Sequence, residues 1–409
     1  MTQSSSAIVV GAGIFGLTAA LALRERGYRV TLLDAGPVPH PLAASTDISK
    51  VVRIEYGADE TYTRLAEAAR AGWLAWNRDL FPTPLYHETG ATFLTRQLMT
   101  PGGYEYENFR VLTERGHAPE RLSAAEIRRR FPAWNADCYG DGYFNPKAGF
   151  VESGKVIAVL AGLARARGID LRGEEQVAHV GAQPNASGTV QTVSGVTLAA
   201  DVMIVAAGAW TPLLVPELAD IMRPIGQPVF HLLPADPERF SPPHFVVFGA
   251  DSARTGWYGF PAHPDSGVVK IANHGPGHPV HPQDDPRTVS PADKARLRVF
   301  LAETFPELAG APLVFTRCCL YCDTPDEHFW IGRHPRHPAL TVAAGDSGHA
   351  FKFAPILGRL IADAAEGLPN ETGARFAWRT FSPGATGQEA SRARSQEEET
   401  PAHRTTTTT

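Results

Sequence analysis

Apolar residues come in short runs near the start of the chain. AIVV (7–10) has the length and composition of a buried strand. Glycines follow, and then LTAALALRER, whose apolar positions recur at helical spacing until Gly27. RVTLLDA (29–35) is a second strand run. Strand, glycine turn, helix and strand form one βαβ unit, which requires a mostly parallel sheet with right-handed crossovers. The same periodicities predict a helix in KVIAVLAGLARARG (155–168) and buried strands in DVMIVAAG (201–208) and LTVAAG (340–345). In FAPILGRLIADAAEG (353–367) Phe353, Ile356, Leu357, Leu360, Ile361 and Ala364 form one helical stripe.

The stretches near 86–145 and 222–316 differ: VVF, GVVKIA and PLVF look like strands separated by Pro, Gly and Asp. The pattern predicts an α/β (α+β two-domain) fold, with a Rossmann-like unit interrupted by a discontinuous β-rich domain. The expected dinucleotide domain comprises 1–85, 146–221 and 317–378, and the expected substrate domain 86–145 and 222–316. Residues 379–409 have almost nothing to bury and are expected to be a disordered tail.

With 409 residues and 43% hydrophobic composition, the chain can bury a large core. A net charge of −5 supplies no electrostatic footprint for nucleic acid or an anionic membrane, so a small-molecule partner is expected. No run is long and apolar enough to suggest a membrane span, and no secretory leader is expected. Four cysteines, with Cys318, Cys319 and Cys322 crowded together, make no disulfide framework and point to a reducing, cytoplasmic setting. They lack the second ligand pair of a zinc site. His274, His278 and His281 lie among Gly and Pro and read as loop histidines, so no metal is expected.

Gly11, Gly13 and Gly16 give the spacing GxGxxG between the first strand and first helix, around Ile14 and Phe15. Gly11 suits a tight turn, Gly13 admits a pyrophosphate to the backbone, and Gly16 lets helix pack on strand. The helix N-terminus then faces the phosphates. Asp34, ending the second strand, is placed to accept from a ribose, and an acid there disfavours a 2′-phosphate. The motif alone leaves FAD and NAD equally open.

RCCLYCDTPDEHFWIGRHP (317–335) and GDSGHAFKF (345–353) separate the two. With SKVVR, YHETG, GAW, YGFP and Lys270 to His274, they make the chain resemble the flavin amine oxidases of the D-amino-acid oxidase superfamily. The similar group holds the monomeric sarcosine, N-methyltryptophan, pipecolate and fructosyl amino acid oxidases, and the likeness runs from about residue 7 to about residue 370. The resemblance implies a monomer holding FAD and acting on an amino-acid-like secondary amine, with O₂ reduced to H₂O₂. It implies that Cys319 is bonded to the flavin 8α-methyl, and strand alternation turns Cys318 to the opposite face. Ser45, Gly208, Gly345, Gly348 and Lys352 are implied around the cofactor.

The resemblance also implies roles for charged residues. Arg53 matches a carboxylate-binding arginine, whose planar fork suits a bidentate grip. Tyr258 and His274 match positions lining the substrate cavity, and Lys270 matches a lysine that holds a water near flavin N5. A helix expected to begin near Gly348 would aim its amides at the ring, with Lys352 on its first turn able to hold a carboxylate. His349 is assigned to packing. Of the 38 basic residues only six are lysine, and three of those, Lys50, Lys270 and Lys352, fall at these positions. Lys50 and Arg53 stand where sarcosine oxidases carry two arginines. That departure favours a larger secondary amine, with fructosyl amino acids, pipecolate or proline as alternatives and a non-oxygen acceptor as another.

Overall fold

The computed structural model describes residues 5–182, 187–370 and 372–382. Ser6–Val10 lies at the centre of a six-stranded sheet because Ala7 to Val10 are apolar on both faces, as a strand covered on both sides must be. Arg29–Leu33 and Val202–Val205 flank it in parallel, with Asp170–Arg172 and Leu340–Ala344 beyond them. Trp330–Arg333 closes one edge antiparallel.

The helix Ile14–Glu25 packs against Ala354–Glu366, where Gly358 lets the backbones meet: a Cβ there would lie 2.4 Å from the Thr18 carbonyl oxygen. Ser153–Ala166 also packs on the first helix. The helices and strands read from apolar spacing are therefore present, within two or three residues at their ends.

A nine-stranded mixed sheet contains Ala91–Thr95, Asp141–Asn145, Val247–Ala250, Trp257–Gly259 and Val269–Asn273, as well as the long strand Arg223–Leu232. Leu313–Asp323 pairs with that long strand along its length. The expected boundary at 317 is thus corrected. Residues 317–323 continue the strand begun at 313 and lie on the nine-stranded sheet, paired residue for residue with 223–229. A small sheet of Lys50–Val52, Gly149–Val151 and Tyr86–His87 ties the two larger ones together.

Two further expectations change. The segment 345–350 is a turn, followed by a 3₁₀ turn Phe351–Phe353 and then the helix. Ser347 and Gly348 have φ of 41° and 74°, which no right-handed helix contains, so the helix cannot start at Gly348. The expected tail begins too early: Arg379 pairs with Asp326 at 2.7 Å, and Trp378 and Phe381 pack against the core that holds Trp330. The rest of that stretch, from 383, lies outside the described residues.

Candidate active site

Two cavities meet between the sheets. The first, of about 510 Å³, starts at the glycine turn and ends at Cys319, Tyr321 and Gly348. Gly11, Gly13, Ile14 and Phe15 line its near end. Gly11 has φ +100°, and a Cβ on it would stand 2.4 Å from the Ala206 carbonyl oxygen; Gly16 is needed because a Cβ would lie 1.7 Å from the Gly11 oxygen. Ser45 Oγ accepts from the Ile14 amide at 3.0 Å, fixing the helix start. Asp34 lines the same wall, accepting from Ala12 N at 2.7 Å and Gly36 N at 3.0 Å. Gly208, with φ +53°, lines it too, whereas Gly345 (φ +66°) lies behind it against Thr324.

The floor is one face of the nine-stranded sheet. Cross-strand register puts Cys319 opposite Gln227, Tyr321 opposite Ile225, and Tyr258 between Gly249 and Ala272. Residues two apart share a face, so Cys319, Tyr321, Tyr258 and Lys270 all project from it, while Cys318 and Cys322 face away. Cys319 lines the first cavity and lies 3.8 Å from Lys50 Nζ. Cys318 packs toward His278 on the other side, and burial pushes its thiol up to about 12. Burial opposes the Lys50 charge, but the Cys319 sulfur and Asp47 outweigh it and raise its pKa. Gly348 approaches so closely that a Cβ would meet the Tyr321 ring at 2.2 Å.

Lys270 shares that face but is set back from both cavities. It is 2% exposed and lines neither cavity, and its ammonium is 2.6 Å from Asp47 Oδ2 and donates to the Ser49 carbonyl at 2.5 Å. Burial, with Lys50 nearby, pushes it down to about 8 although Asp47 opposes this. Burial also works against the Asp47 charge, but Lys270 and His231 more than offset it and hold the carboxyl well below its usual range.

The second cavity, of about 490 Å³, shares Lys50, Tyr321, Gly348 and Phe351 with the first. Arg53, Tyr56, Tyr258, His274, His349 and Lys352 all line it. Lys352 Nζ donates to Tyr56 Oη at 3.0 Å and to the His349 carbonyl at 2.7 Å. His349 Nε2 faces the Glu327 carbonyl at 2.9 Å, which keeps the proton on that nitrogen and leaves Nδ1 to accept from Tyr56 at 3.0 Å. Burial, reinforced by Lys352, holds His349 far below its ordinary value, so the ring is neutral. Burial and the neighbouring Arg53 likewise depress Lys352. Among the described residues neither Arg53 nor Lys352 has a carboxylate within ion-pair distance. Tyr258 and Tyr321 share a hydrogen bond, and His274 Nδ1 lies 3.5 Å from Tyr321 Oη.

Every residue given a cofactor or substrate role in the sequence therefore lies in or immediately behind these walls, with Lys270, Gly16 and Gly345 in the supporting layer. His349, assigned to packing, instead lines the cavity. Tyr56, Tyr321, Asp47 and Asp346 were not singled out. Asp346 lines the first cavity and accepts from Cys322 N at 2.9 Å and Gly348 N at 3.2 Å, and burial pushes its carboxyl up to about 6. Its place inside GDSGH was the signal that could have found it; nothing local marks Tyr56. Glu152, His263 and Asp265 converge elsewhere, but Lys155 already sits 2.6 Å from Glu152 and 2.7 Å from Asp265.

A glycine-lined channel leading from a helix N-terminus to a buried cysteine has the shape a dinucleotide flavin requires. The comparisons agree. A family profile described as FAD dependent oxidoreductase matches residues 6–364. The monomeric sarcosine oxidase of Streptomyces avermitilis is 32% identical over 375 residues, covering 89% of this chain and 94% of that protein. The N-methyl-L-tryptophan oxidase of Salmonella newport is 29% identical, covering 88% and 94%. Among solved structures, the fructosamine oxidase Amadoriase II of Aspergillus fumigatus superimposes with a TM-score of 0.80 at 27% identity, covering 93% of this chain and 90% of that one.

Proposed function

The chain belongs to the FAD dependent oxidoreductases, and from that premise we propose that it oxidises the C–N bond of a secondary amino acid, with O₂ as the final acceptor and H₂O₂ as product. The observation that carries this reading is the pair of buried cations, Arg53 and Lys352, facing a cavity that joins the dinucleotide channel at Cys319 and Gly348. Among the described residues the Glu55 carboxylate acts on Arg53 and Lys352 only from beyond ion-pair distance, and the acid group of an amino acid supplies the counter-charge that Arg53 and the depressed Lys352 ammonium lack at the cavity. FAD, when bound, supplies the two-electron acceptor.

The chain's own residues do the rest. Arg53 and Lys352 fix the substrate carboxylate, and thereby the direction in which the C–H bond points. Tyr258, Tyr321 and His274 close the cavity around the nitrogen, and the neutral His349 keeps Tyr56 oriented for Lys352. Cys319 is the residue that holds the cofactor covalently, with the Lys50 ammonium 3.8 Å from its sulfur. Lys270 spends two of its three donors on Asp47 and Ser49, leaving one for a water. The released imine hydrolyses in water.

The rest of this reading is a monomer in a reducing cytoplasm, supported by four free cysteines. Among the described residues no helix is long and apolar enough to cross a membrane. The test is product stoichiometry: purified holoprotein given secondary amino acids in aerated buffer should form one H₂O₂ per amine oxidised. Amine oxidation that requires a dye and yields no peroxide would show a different acceptor.

A further inference from the structure

One wall of the second cavity is built from the nine-stranded sheet. Across the nine-stranded sheet Phe93 pairs with Gly249 and Gly249 with Tyr258, so these three stand in one row on the cavity face. Val247 and Phe260, two residues along their strands, extend that face, and all five line the cavity. Gly249 matters because it has no side chain: a Cβ would lie 2.9 Å from the Phe93 ring and 2.2 Å from Ser252 Oγ. Phe93 therefore lies down over bare backbone, stacked at 5.3 Å and 23° on Tyr143, leaving an apolar slot between itself and Tyr258.

Several polar groups of the cavity are committed to partners within the protein. Asp59 is bonded to Arg375 at 2.8 Å and Asp326 to Arg379 at 2.7 Å. The Tyr56 hydroxyl is held by Lys352 and His349. A sugar entering the slot would bury hydroxyls against the apolar Phe93, Val247 and Phe260 side chains, which offer them no hydrogen bond. A glycine derivative with a handful of heavy atoms would leave most of about 490 Å³ unfilled.

Resting on the reading above, we propose that the Phe93–Gly249–Tyr258 row is the side-chain subsite. The substrate class it selects is then N-alkyl α-amino acids with an aromatic or bulky apolar side chain, in preference to sarcosine and to sugar-bearing amines. Phe93 and Gly249 are the specificity-determining pair, since a branched residue at 249 drives the ring into the slot.

The test follows anaerobic loss of flavin absorbance in the holoprotein with N-methyl-L-phenylalanine, sarcosine and fructosyl-valine. The expected kcat/KM for N-methyl-phenylalanine exceeds that for each of the others by about 10–200-fold, the range apolar pockets achieve. Gly249→Val should lower this ratio to sarcosine by about tenfold or more at unchanged flavin content. If that variant does not fold, Phe93→Ala must lower the same ratio. Sarcosine or fructosyl-valine reducing the flavin as well as N-methyl-phenylalanine overturns the subsite while leaving the amine-oxidation reading standing. Bleaching by none of the three overturns that reading itself.

Discussion

The two cavities are similar in size and are built on opposite principles. The dinucleotide channel is backbone: glycines that admit no Cβ, a helix start, and two carboxylates, Asp34 and Asp346, that accept main-chain amides. The amine cavity is side chain: cations, tyrosines and histidines from segments near 50, 93, 258, 274 and 350. The first is intolerant of added atoms and the second is tuned by the ones it has. A backbone cradle binds what every relative binds, whereas a side-chain cavity can change its substrate without disturbing the fold.

The largest expected effect lies in the channel. Gly11→Val places a branched side chain at φ +100° and into the Ala206 carbonyl. It should abolish bound flavin, read as the visible absorbance per chain after native purification. Full flavin content in that variant would remove the glycine turn from the account. Next comes the junction: Cys319→Ser should lose the fluorescent flavin band on a denaturing gel, while Cys318→Ser keeps it because that sulfur faces the other way. The reverse pattern would shift the strand register by one residue.

An intermediate effect is expected below the floor. Lys270→Met should slow reoxidation of the reduced protein by about 10²–10³-fold, the size of one preorganised charge, and leave anaerobic reduction by substrate much less affected. The ammonium titrates near 8 in the native protein and is lost as pH rises through that value. Reoxidation of the unaltered protein should therefore fall across that range, and the fall should vanish in the variant; stopped-flow mixing with aerated buffer checks both. The smallest effect belongs to Asp346. Its carboxyl ionises as pH rises through about 6, so the flavin spectrum should change around that pH, and Asp346→Asn should flatten the change.

The same contrast explains what could be read from the chain. The glycine channel was legible because the local backbone conformation, the helix start and Asp34 lie within about thirty residues, and each residue type has one steric reason. Cys319 was supplied by the resemblance, and alternation along the strand only separated it from Cys318. The cavity around Arg53 was legible only where resemblance supplied the positions. His349 looked like packing because the left-handed turn at Ser347 and Gly348 replaces the expected helix start and swings the imidazole toward Tyr56. Lys270 is set back from the cavity by Asp47, an ion pair between residues 223 positions apart that no periodicity encodes. The boundary expected at 317 falls inside the strand Leu313–Asp323, which has no compositional break.

The central claim, that carboxylate capture at Arg53 and Lys352 presents a secondary amine to a flavin at the junction, is tested most directly by one anaerobic experiment. The holoprotein is mixed with an N-methyl amino acid or with its methyl ester, and the flavin absorbance is followed. Each charge-assisted hydrogen bond is worth about 1.5–3 kcal/mol, so the acid should bleach the flavin at least about 10²-fold more efficiently than the ester. Equal bleaching by acid and ester would contradict the role of the two cations, and no bleaching by either would contradict the account as a whole.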